Sequence, residues 1–221
     1  MIVIIIITIV LLAVFLESDT AKLVVNSILL AVLGIFALIM NGFITAYNSA
    51  ARIALMILNQ GPPVPYINNP IENEKVILKK DFIMHAKNSD YSIYYKIEKT
   101  SRGKLRKVLY LCAVIFLKDK NLNFYSKVIT DEITKLETSL KEIKRISKKV
   151  IIQFKEIDDL SEDTKKEIAD VISYMQSNSY YAQINVGLYN KDRNAYFLYS
   201  EKKMPSYHYK DAVGLIKELI K

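Results

Sequence analysis

The residue types that most often carry chemistry are scarce in this 221-residue sequence. It contains one cysteine, Cys112, and two histidines, His85 and His208. A structural zinc site takes four Cys or His ligands, so these three residues cannot complete one within a single chain. After residue 70 the glycines are isolated, which excludes a Walker loop and a GxGxxG loop. The sequence therefore argues against an NTPase, a kinase or a dinucleotide-dependent oxidoreductase, and we expect no cofactor.

The remaining candidate nucleophiles, acids and bases have simpler explanations. Cys112 lies in an apolar run, where a buried thiol is inert. His85 follows a predicted strand and His208 begins a predicted helix, so we expect surface or capping roles for both. Three carboxylate pairs begin predicted helices, where negative charge favours the helix dipole: Asp131 and Glu132, Asp158 and Asp159, and Glu162 and Asp163. We predict no catalytic residue and no metal site.

One short motif points to a reaction. Gln153, Phe154 and Lys155 end a predicted buried strand, and this Gln-x-Lys is similar to the motif of Mrr-like restriction nucleases. The resemblance implies a lysine that assists hydrolysis beside acidic residues that hold Mg²⁺. It covers three residues, and the glycine-rich hairpin with an aspartate that precedes this strand in the family is replaced here by a lysine-rich helix. The alternative interpretation is an alternating strand whose polar side faces water.

Two basic clusters are the clearest indication of a binding surface. Each Lys or Arg near an anionic membrane surface contributes about 1 kcal/mol. Nucleic acid is a less favoured partner, which tyrosines such as Tyr91 and Tyr94 could help to hold by stacking. The alternative is a solvated turn without function. The clusters are Lys99, Arg102, Lys104, Arg106 and Lys107, and Lys144, Arg145, Lys148 and Lys149.

The first 58 residues carry only four charged side chains. An apolar run covers residues 2–16, and a longer one extends from residue 23 to about residue 45. The polar residues 17–22 between them suit a turn at a bilayer surface, so the pattern predicts a transmembrane helical hairpin. Neither a signal peptide nor a pair of buried helices fits as well, because no basic residue precedes the first run and neither run has a polar face. Residues 47–58 predict a helical extension or an amphipathic segment.

A glycine- and proline-rich stretch, residues 61–65, marks the end of the anchor. We predict a membrane anchor over residues 1–60, a linker over 61–70 and a cytoplasmic domain over 71–221. The chain beyond residue 65 holds 29 of the 31 basic and 21 of the 23 acidic residues. Because basic residues near membrane ends stay in the cytoplasm, we expect a two-pass protein with both termini cytoplasmic. The single cysteine fits a reducing compartment.

The sequence of the domain predicts four strands, a helix, a strand, a helix, two strands and a final helix, in this order. This order predicts an α+β fold, with a mostly antiparallel sheet and helices packed on one face. The predicted strands cover residues 75–84, 91–97, 105–117, 124–129, 149–155, 182–188 and 195–200. The predicted helices cover residues 131–147, begin after Ser161 with Ile168, Val171, Ile172 and Met175 inward, and begin near Ser206.

These features favour a membrane-anchored, non-catalytic interaction or assembly module, a subunit or scaffold of a membrane-associated complex. Its partners would be the bilayer and either another protein or further copies of the chain. The first alternative is a membrane-tethered nucleic-acid-binding protein or Mg-dependent nuclease that uses Gln153 and Lys155. The second is a ligand sensor that signals through the hairpin.

Overall fold

The structure is a computed structural model that describes residues 19–100, 108–141, 146–176 and 179–221. The chain divides into two compact units, residues 1–47 and residues 48–221. The first described element is one helix of 40 residues, α1 (Asp19–Leu58). The turn predicted over residues 17–22 is therefore wrong from Asp19 onward, where the chain is already helical. The first apolar run, residues 2–16, lies outside the described residues.

Within the described chain, α1 alone has the length and composition of a membrane span. Its residues Asn26–Leu58 reach a mean hydropathy of 2.4, and the most apolar part of this segment is not buried by the rest of the protein. Leu38 and Phe43 expose 74% and 68% of their surface. The helix continues without interruption through residues 47–58, as the predicted helical extension requires. Two-pass insertion would need a second span within the residues that are not described.

The second unit contains an eight-stranded sheet and shorter helices. The strands are β1 (Val64–Pro65), β2 (Ile83–Lys87), β3 (Tyr91–Thr100), β4 (Val108–Leu117), β5 (Ile146–Ile157), β6 (Ile172–Gln176), β7 (Ser179–Tyr189) and β8 (Asn194–Tyr196). The helices are α2 (Lys75–Leu78), α3 (Lys127–Lys141), α4 (Glu162–Ala169) and α5 (Tyr207–Leu219).

The sheet is mixed and open, which confirms the α+β class. Its strand order is β1-β8-β7-β5-β4-β3-β2, and β6 pairs with β7 beside β8. Five of the seven strand pairings are antiparallel, as predicted. The two parallel pairings join β4 to β5 and β5 to β7, so the centre of the sheet is parallel. Strands in such a centre are covered on both sides.

The prediction that helices pack on one face is wrong. The connections from β4 through α3 to β5 and from β5 through α4 to β7 step in the same direction across the sheet. Because such crossovers are right-handed, both helices lie on one face, which we call the α3 face. Buried residues of α5, of α2 and of the end of α1 pack on the opposite face, which we call the α5 face. The two faces therefore have separate cores.

Alternation along each central strand assigns side chains to these two cores. Val150, Ile152 and Phe154 of β5 are fully buried on the α5 face, together with Met56 from the end of α1. Ile151 of β5 is buried on the α3 face with Ile129 and Ile133 of α3 and Ile168 of α4. Gly187 of β7 allows α4 to approach closely, because a Cβ there would lie 2.6 Å from Ile168 Cδ1.

The helix predicted over residues 131–147 begins at Lys127 and ends at Lys141, so Asp131 and Glu132 do not lie in its first turn, and residues 146–147 belong to β5.

Three further predicted elements have a different type of structure. Residues 75–84 form the single turn α2 and only then enter β2, after Asp81 adopts a positive φ of 62°. Residues 124–129 are not a strand, since α3 begins at Lys127 with Ser126 Oγ accepting the amide of Ile129 at 3.4 Å. Ile172 and Met175 do not extend α4 but lie in β6. In each case a short apolar run fits a strand and a helix equally well.

Two predicted helix starts are confirmed by their capping bonds. Ser161 Oγ accepts the amide of Thr164 at 3.3 Å, and Ser206 Oγ accepts the amide of Tyr209 at 3.1 Å.

The segment predicted as a linker, residues 61–70, makes specific bonds to the C-terminal half. Val64 pairs with Ala195 in the β1–β8 ladder. The amide of Gly61 donates to Tyr199 O at 2.8 Å, and that of Ile67 donates to Ile220 O at 2.8 Å. This stretch is therefore an edge of the folded unit.

Candidate functional site

The nine basic residues of the predicted binding surface have different environments. Lys99 is exposed near the end of β3, whereas Lys148 exposes only 5% of its surface. Lys149 forms an ion pair with Glu137 of α3, with Nζ and Oε2 2.5 Å apart. Lys148 and Lys149 are thus engaged within the fold. Arg102, Lys104, Arg106, Lys107, Lys144 and Arg145 lie outside the described residues.

The strands that flank both basic segments meet at one edge of the sheet. Thr100 at the end of β3 pairs with Val108 at the start of β4. Leu109 of β4 pairs in turn with Ile146, the first residue of β5. At this edge β3 ends before residues 101–107 and β4 begins after them. At the same edge β5 begins after residues 142–145. We call this edge, where β4, β5 and β7 begin, the basic edge.

An aromatic stack lies behind the basic edge on the α5 face. The ring of His208 stacks on Tyr110 at the start of β4, with 5.0 Å between centroids, and lies 5.5 Å from Tyr180 at the start of β7. His208 is 6% exposed, so the surface role expected for it is wrong. Burial raises the pKa of the Tyr110 and Tyr180 hydroxyls.

The end of α1 reaches the same edge of the sheet. Arg52 Nη1 donates to Pro205 O at 2.9 Å, just before the Ser206 cap of α5. Because β8 runs antiparallel to β7, the chain after Tyr196 heads back toward the edge where β7 begins. Arg52 and the start of α5 therefore lie near the basic edge.

A second set of polar residues lies in the middle of the sheet, on the α3 face. Gln153 and Lys155 of β5 are 2% and 8% exposed, and Gln183 and Asn185 of β7 are 6% and 0% exposed. Gln153 pairs directly with Asn185 across the parallel ladder. We call these four residues the polar row. The interpretation that the polar side of β5 faces water is wrong, because α3 and α4 cover it.

Hydrogen bonds in the polar row are incomplete. Asn185 Nδ2 donates to Glu167 O at 2.9 Å and to Asp170 O at 3.0 Å, which ties the end of α4 to the sheet. Among the residues that the structure describes, neither Asn185 Oδ1 nor Gln153 Oε1 has a hydrogen-bond partner, although both atoms are buried. A buried oxygen without a partner costs about 1–3 kcal/mol and calls for an explanation.

Lys155, the other residue of the nuclease-like motif, is held within the fold. Its Nζ lies 3.9 Å from Glu167 Oε1 and 5.6 Å from the centroid of the Phe124 ring. In the described part of the chain, no group of three or more His, Cys, Asp or Glu side chains is placed to hold a metal ion. The two residues of the motif are thus brought together on one buried face without an acidic cluster there.

A cavity of about 290 Å³ lies between α3 and the polar row. Four isoleucines line it together with polar side chains, of which Thr130 and Thr134 are exposed and mark its mouth. Tyr181 OH donates to Gln183 Oε1 at 3.0 Å. Burial raises the pKa of Tyr181 and raises that of Tyr125 to about 12, so both hydroxyls stay protonated at neutral pH. The polar lining residues are Tyr125, Thr130, Thr134, Glu137, Gln153, Tyr181 and Gln183.

A larger cleft of about 610 Å³ lies on the α5 face between α5 and strands β3 and β4. Lys96 in this cleft donates to Lys80 O at 3.1 Å and pairs with Glu98 at 3.0 Å. Cys112 lines its floor, and burial raises the pKa of the thiol to about 12. The expected burial of Cys112 is confirmed, and its thiol is protonated at neutral pH.

Gln183 and Asn185 were not predicted from the sequence. Both alternate with buried aliphatic residues along β7, in the same way as Gln153 and Lys155 along β5. The detectable signal was the polar alternation on two strands at once, which becomes informative only when the strands are known to be neighbours. Comparison of the chain with protein-family models, with characterised proteins and with solved structures gives no match.

Proposed function

We propose that this protein is a membrane-anchored, non-catalytic interaction or assembly module, a subunit or scaffold of a membrane-associated complex. The observation that carries the proposal is α1, whose exposed apolar side chains continue for most of its length. In water such a helix would expose far more contiguous apolar surface than monomeric proteins tolerate. A bilayer supplies the solvent that this composition requires.

The last residues of α1 are part of the second unit and connect it to the apolar segment. Met56 is fully buried in the core of the α5 face, and Arg52 is bonded to Pro205 O. Residues 48–58 thus belong to the folded unit, and the same helix continues directly into the apolar segment. The two-pass topology with cytoplasmic termini is part of this proposal, and the excess of basic residues after residue 65 supports it.

The basic edge is the proposed contact with anionic headgroups. It lies near Arg52, where the chain passes from the apolar helix into the folded unit. Basic side chains of an anchored chain gain most where they meet anionic lipid at the membrane surface. A protein partner or a second copy of the chain would bind surfaces of the second unit other than the basic edge.

Cysteine accessibility tests the topology. The native Cys112 is buried and should contribute little to maleimide labelling. We would compare Thr20→Cys, at an exposed position near the start of α1, with Ile67→Cys, at an exposed position of the domain. In intact cells a membrane-impermeant maleimide should label Thr20→Cys and should label Ile67→Cys only after permeabilisation. Recovery of the chain in the soluble fraction would contradict the anchor, and reversed labelling would contradict the orientation.

The basic edge has its own test in lipid nanodiscs. Lys99→Cys should be labelled readily in zwitterionic nanodiscs and more slowly in nanodiscs containing phosphatidylserine. High salt should remove the difference, because it screens the attraction. Ile67→Cys serves as the control. Equal labelling of Lys99→Cys in both lipids would remove anionic lipid as the partner of this edge.

Extraction in mild detergent tests the assembly itself. The native protein should migrate with a stoichiometric partner or as a homo-oligomer when sized, with mass spectrometry identifying what comigrates. Migration as an isolated monomer would contradict the subunit proposal. Mg²⁺-dependent cleavage of nucleic acid that disappears in Lys155→Ala would instead favour the nuclease alternative.

A further inference from the structure

We propose that the cavity beneath α3 binds a small, uncharged cyclic amide, the chemistry shared by the lactam edge of a nucleobase and by simpler lactams. The cavity is lined by residues of the second unit, so binding there would be a further activity that does not depend on membrane attachment.

The first observation is the unpartnered oxygen of Gln153. The side chain lines the cavity and is 98% buried, and within the described chain its Oε1 accepts no hydrogen bond. An amide side chain offers one acceptor and two donors in fixed geometry. It therefore matches a ligand edge that presents a carbonyl oxygen beside an N–H group, as nucleobases and lactams do.

The second observation is the position of this amide in the sheet. Gln153 lies beside Asn185, whose Nδ2 holds the end of α4 while its Oδ1 also has no partner in the described residues. The parallel β5–β7 ladder fixes the backbone positions of these two amides. The helices α3 and α4 cover them. Such a site is built into the rigid centre of the fold and is not an exposed loop.

The remaining lining indicates the ligand's size and charge. A volume of about 290 Å³ is near the lower end of the ~300–1,000 Å³ range of small-molecule sites. The isoleucines and Tyr181 supply flat apolar surface. Glu137 is already paired with Lys149, and among the described residues neither a lysine nor an arginine lines the cavity, so none of them would balance a phosphate. A free base or nucleoside therefore fits better than a nucleotide.

Three variants of the full-length chain separate this site from alternatives. Gln153→Met removes the amide and keeps the length of the side chain. Thr134→Trp fills the mouth of the cavity from an exposed helical position and should leave the core intact. It therefore still tests the site if Gln153→Met fails to fold. Gln60→Met makes the same chemical change as the first variant at an exposed position.

The experiment is saturation-transfer NMR on the detergent-solubilised protein. The probes are uracil, thymine, cytosine, guanine, hypoxanthine, their nucleosides, and 2-pyridone as a lactam that is not a nucleobase. We expect at least one probe to bind the native chain, at least tenfold weaker binding in Gln153→Met, no binding in Thr134→Trp, and unchanged binding in Gln60→Met. Tighter binding of a base than of 2-pyridone would identify a nucleobase, and not a simpler lactam, as the ligand.

Two results would overturn the proposal. In the first, no probe binds the native chain, and the cavity then holds water only, as polar cavities often do. In the second, a probe binds but Gln153→Met and Thr134→Trp leave its affinity unchanged, which places the binding elsewhere.

Discussion

The two faces of the central sheet treat their buried polar groups differently. On the α5 face, the carboxylate of Glu74 is surrounded by donors: Tyr94 OH lies 2.6 Å away, Lys87 Nζ 2.6 Å, Lys118 Nζ 2.8 Å and Ser92 Oγ 3.0 Å. On the α3 face, the polar row leaves Gln153 Oε1 and Asn185 Oδ1 without partners in the described part of the chain. The same strands therefore build one satisfied core and one incomplete core.

This difference separates two uses of polarity. Burial alone would raise the pKa of Glu74, but hydrogen bonds from Lys118, Lys87, Tyr94 and Ser92 outweigh it and lower the pKa to about 2. A group with so many donors contributes to stability. The two amide oxygens of the polar row that have no partner in the described chain are a cost to stability. A cost that a folded protein carries in its centre suggests a use outside folding.

The largest expected effect is on the satisfied face. Phe154→Ala should lower the free energy of unfolding by about 3–5 kcal/mol, because Phe154 is fully buried and contacts Phe116, with ring centroids 5.5 Å apart. Urea unfolding of the detergent-solubilised chain, followed by circular dichroism, measures the loss. Tyr207→Ala at a half-exposed position is the control. A loss below about 1 kcal/mol would mean that the core of the α5 face is loosely packed.

The next effect concerns the bonded part of the polar row. Asn185→Ala should lower the free energy of unfolding by about 2–3 kcal/mol, because it removes the Nδ2 donor to Glu167 O, Asp170 O and Tyr125 OH and leaves Glu167 O without this donor. Hydrogen exchange should show faster opening of α4 than of α5. Asn121→Ala, at an exposed position, should change the free energy by less than about 0.5 kcal/mol. Equal exchange in both helices would contradict the anchoring role of Asn185.

The third effect is a pH dependence on the satisfied face. The folded-state pKa of Glu74 is about 2, below its ordinary value of 4.5. Its contribution is therefore complete above about pH 4.5 and is lost as the pH falls toward 2. Glu74→Gln should cost about 2 kcal/mol at pH 7 and progressively less below pH 4.5. Urea unfolding across this pH range measures the slope, which should be unchanged in Glu201→Gln. A pH-independent cost would show that Glu74 acts by packing.

The smallest effect has the opposite sign. Gln153→Met should leave the free energy of unfolding unchanged or raise it by about 1 kcal/mol, because an unpartnered buried oxygen is replaced by apolar atoms of similar length. Thermal unfolding compared with Gln60→Met measures the difference. Strong destabilisation would show that the amide of Gln153 has a structural partner, and the two faces would then differ less than proposed.

Local signals in the sequence predicted much of the fold. The helix starts at Ser161 and near Ser206 were predicted, and in the structure each serine hydroxyl accepts the amide three residues ahead. The apolar strands and the apolar α1 were found from periodicity and length. The two-sided helix packing was missed, because it depends on which strands are parallel neighbours and no local pattern records that. The polar row was missed for the same reason, since Gln153 meets Asn185 only across the β5–β7 ladder.

The bonds between the start and the end of the second unit have a consequence for biosynthesis. The amides of Ile67 and Asn68 donate to Ile220 O, and Val64 pairs with Ala195. Partners so far apart in sequence make folding slow and leave strand edges uncovered for longer. On the ribosome, residues 61–66 must wait for residues 193–199, and Ile67 and Asn68 must wait for Ile220. The nascent chain therefore carries an open edge through most of its translation, and chaperones have their longest opportunity to bind there.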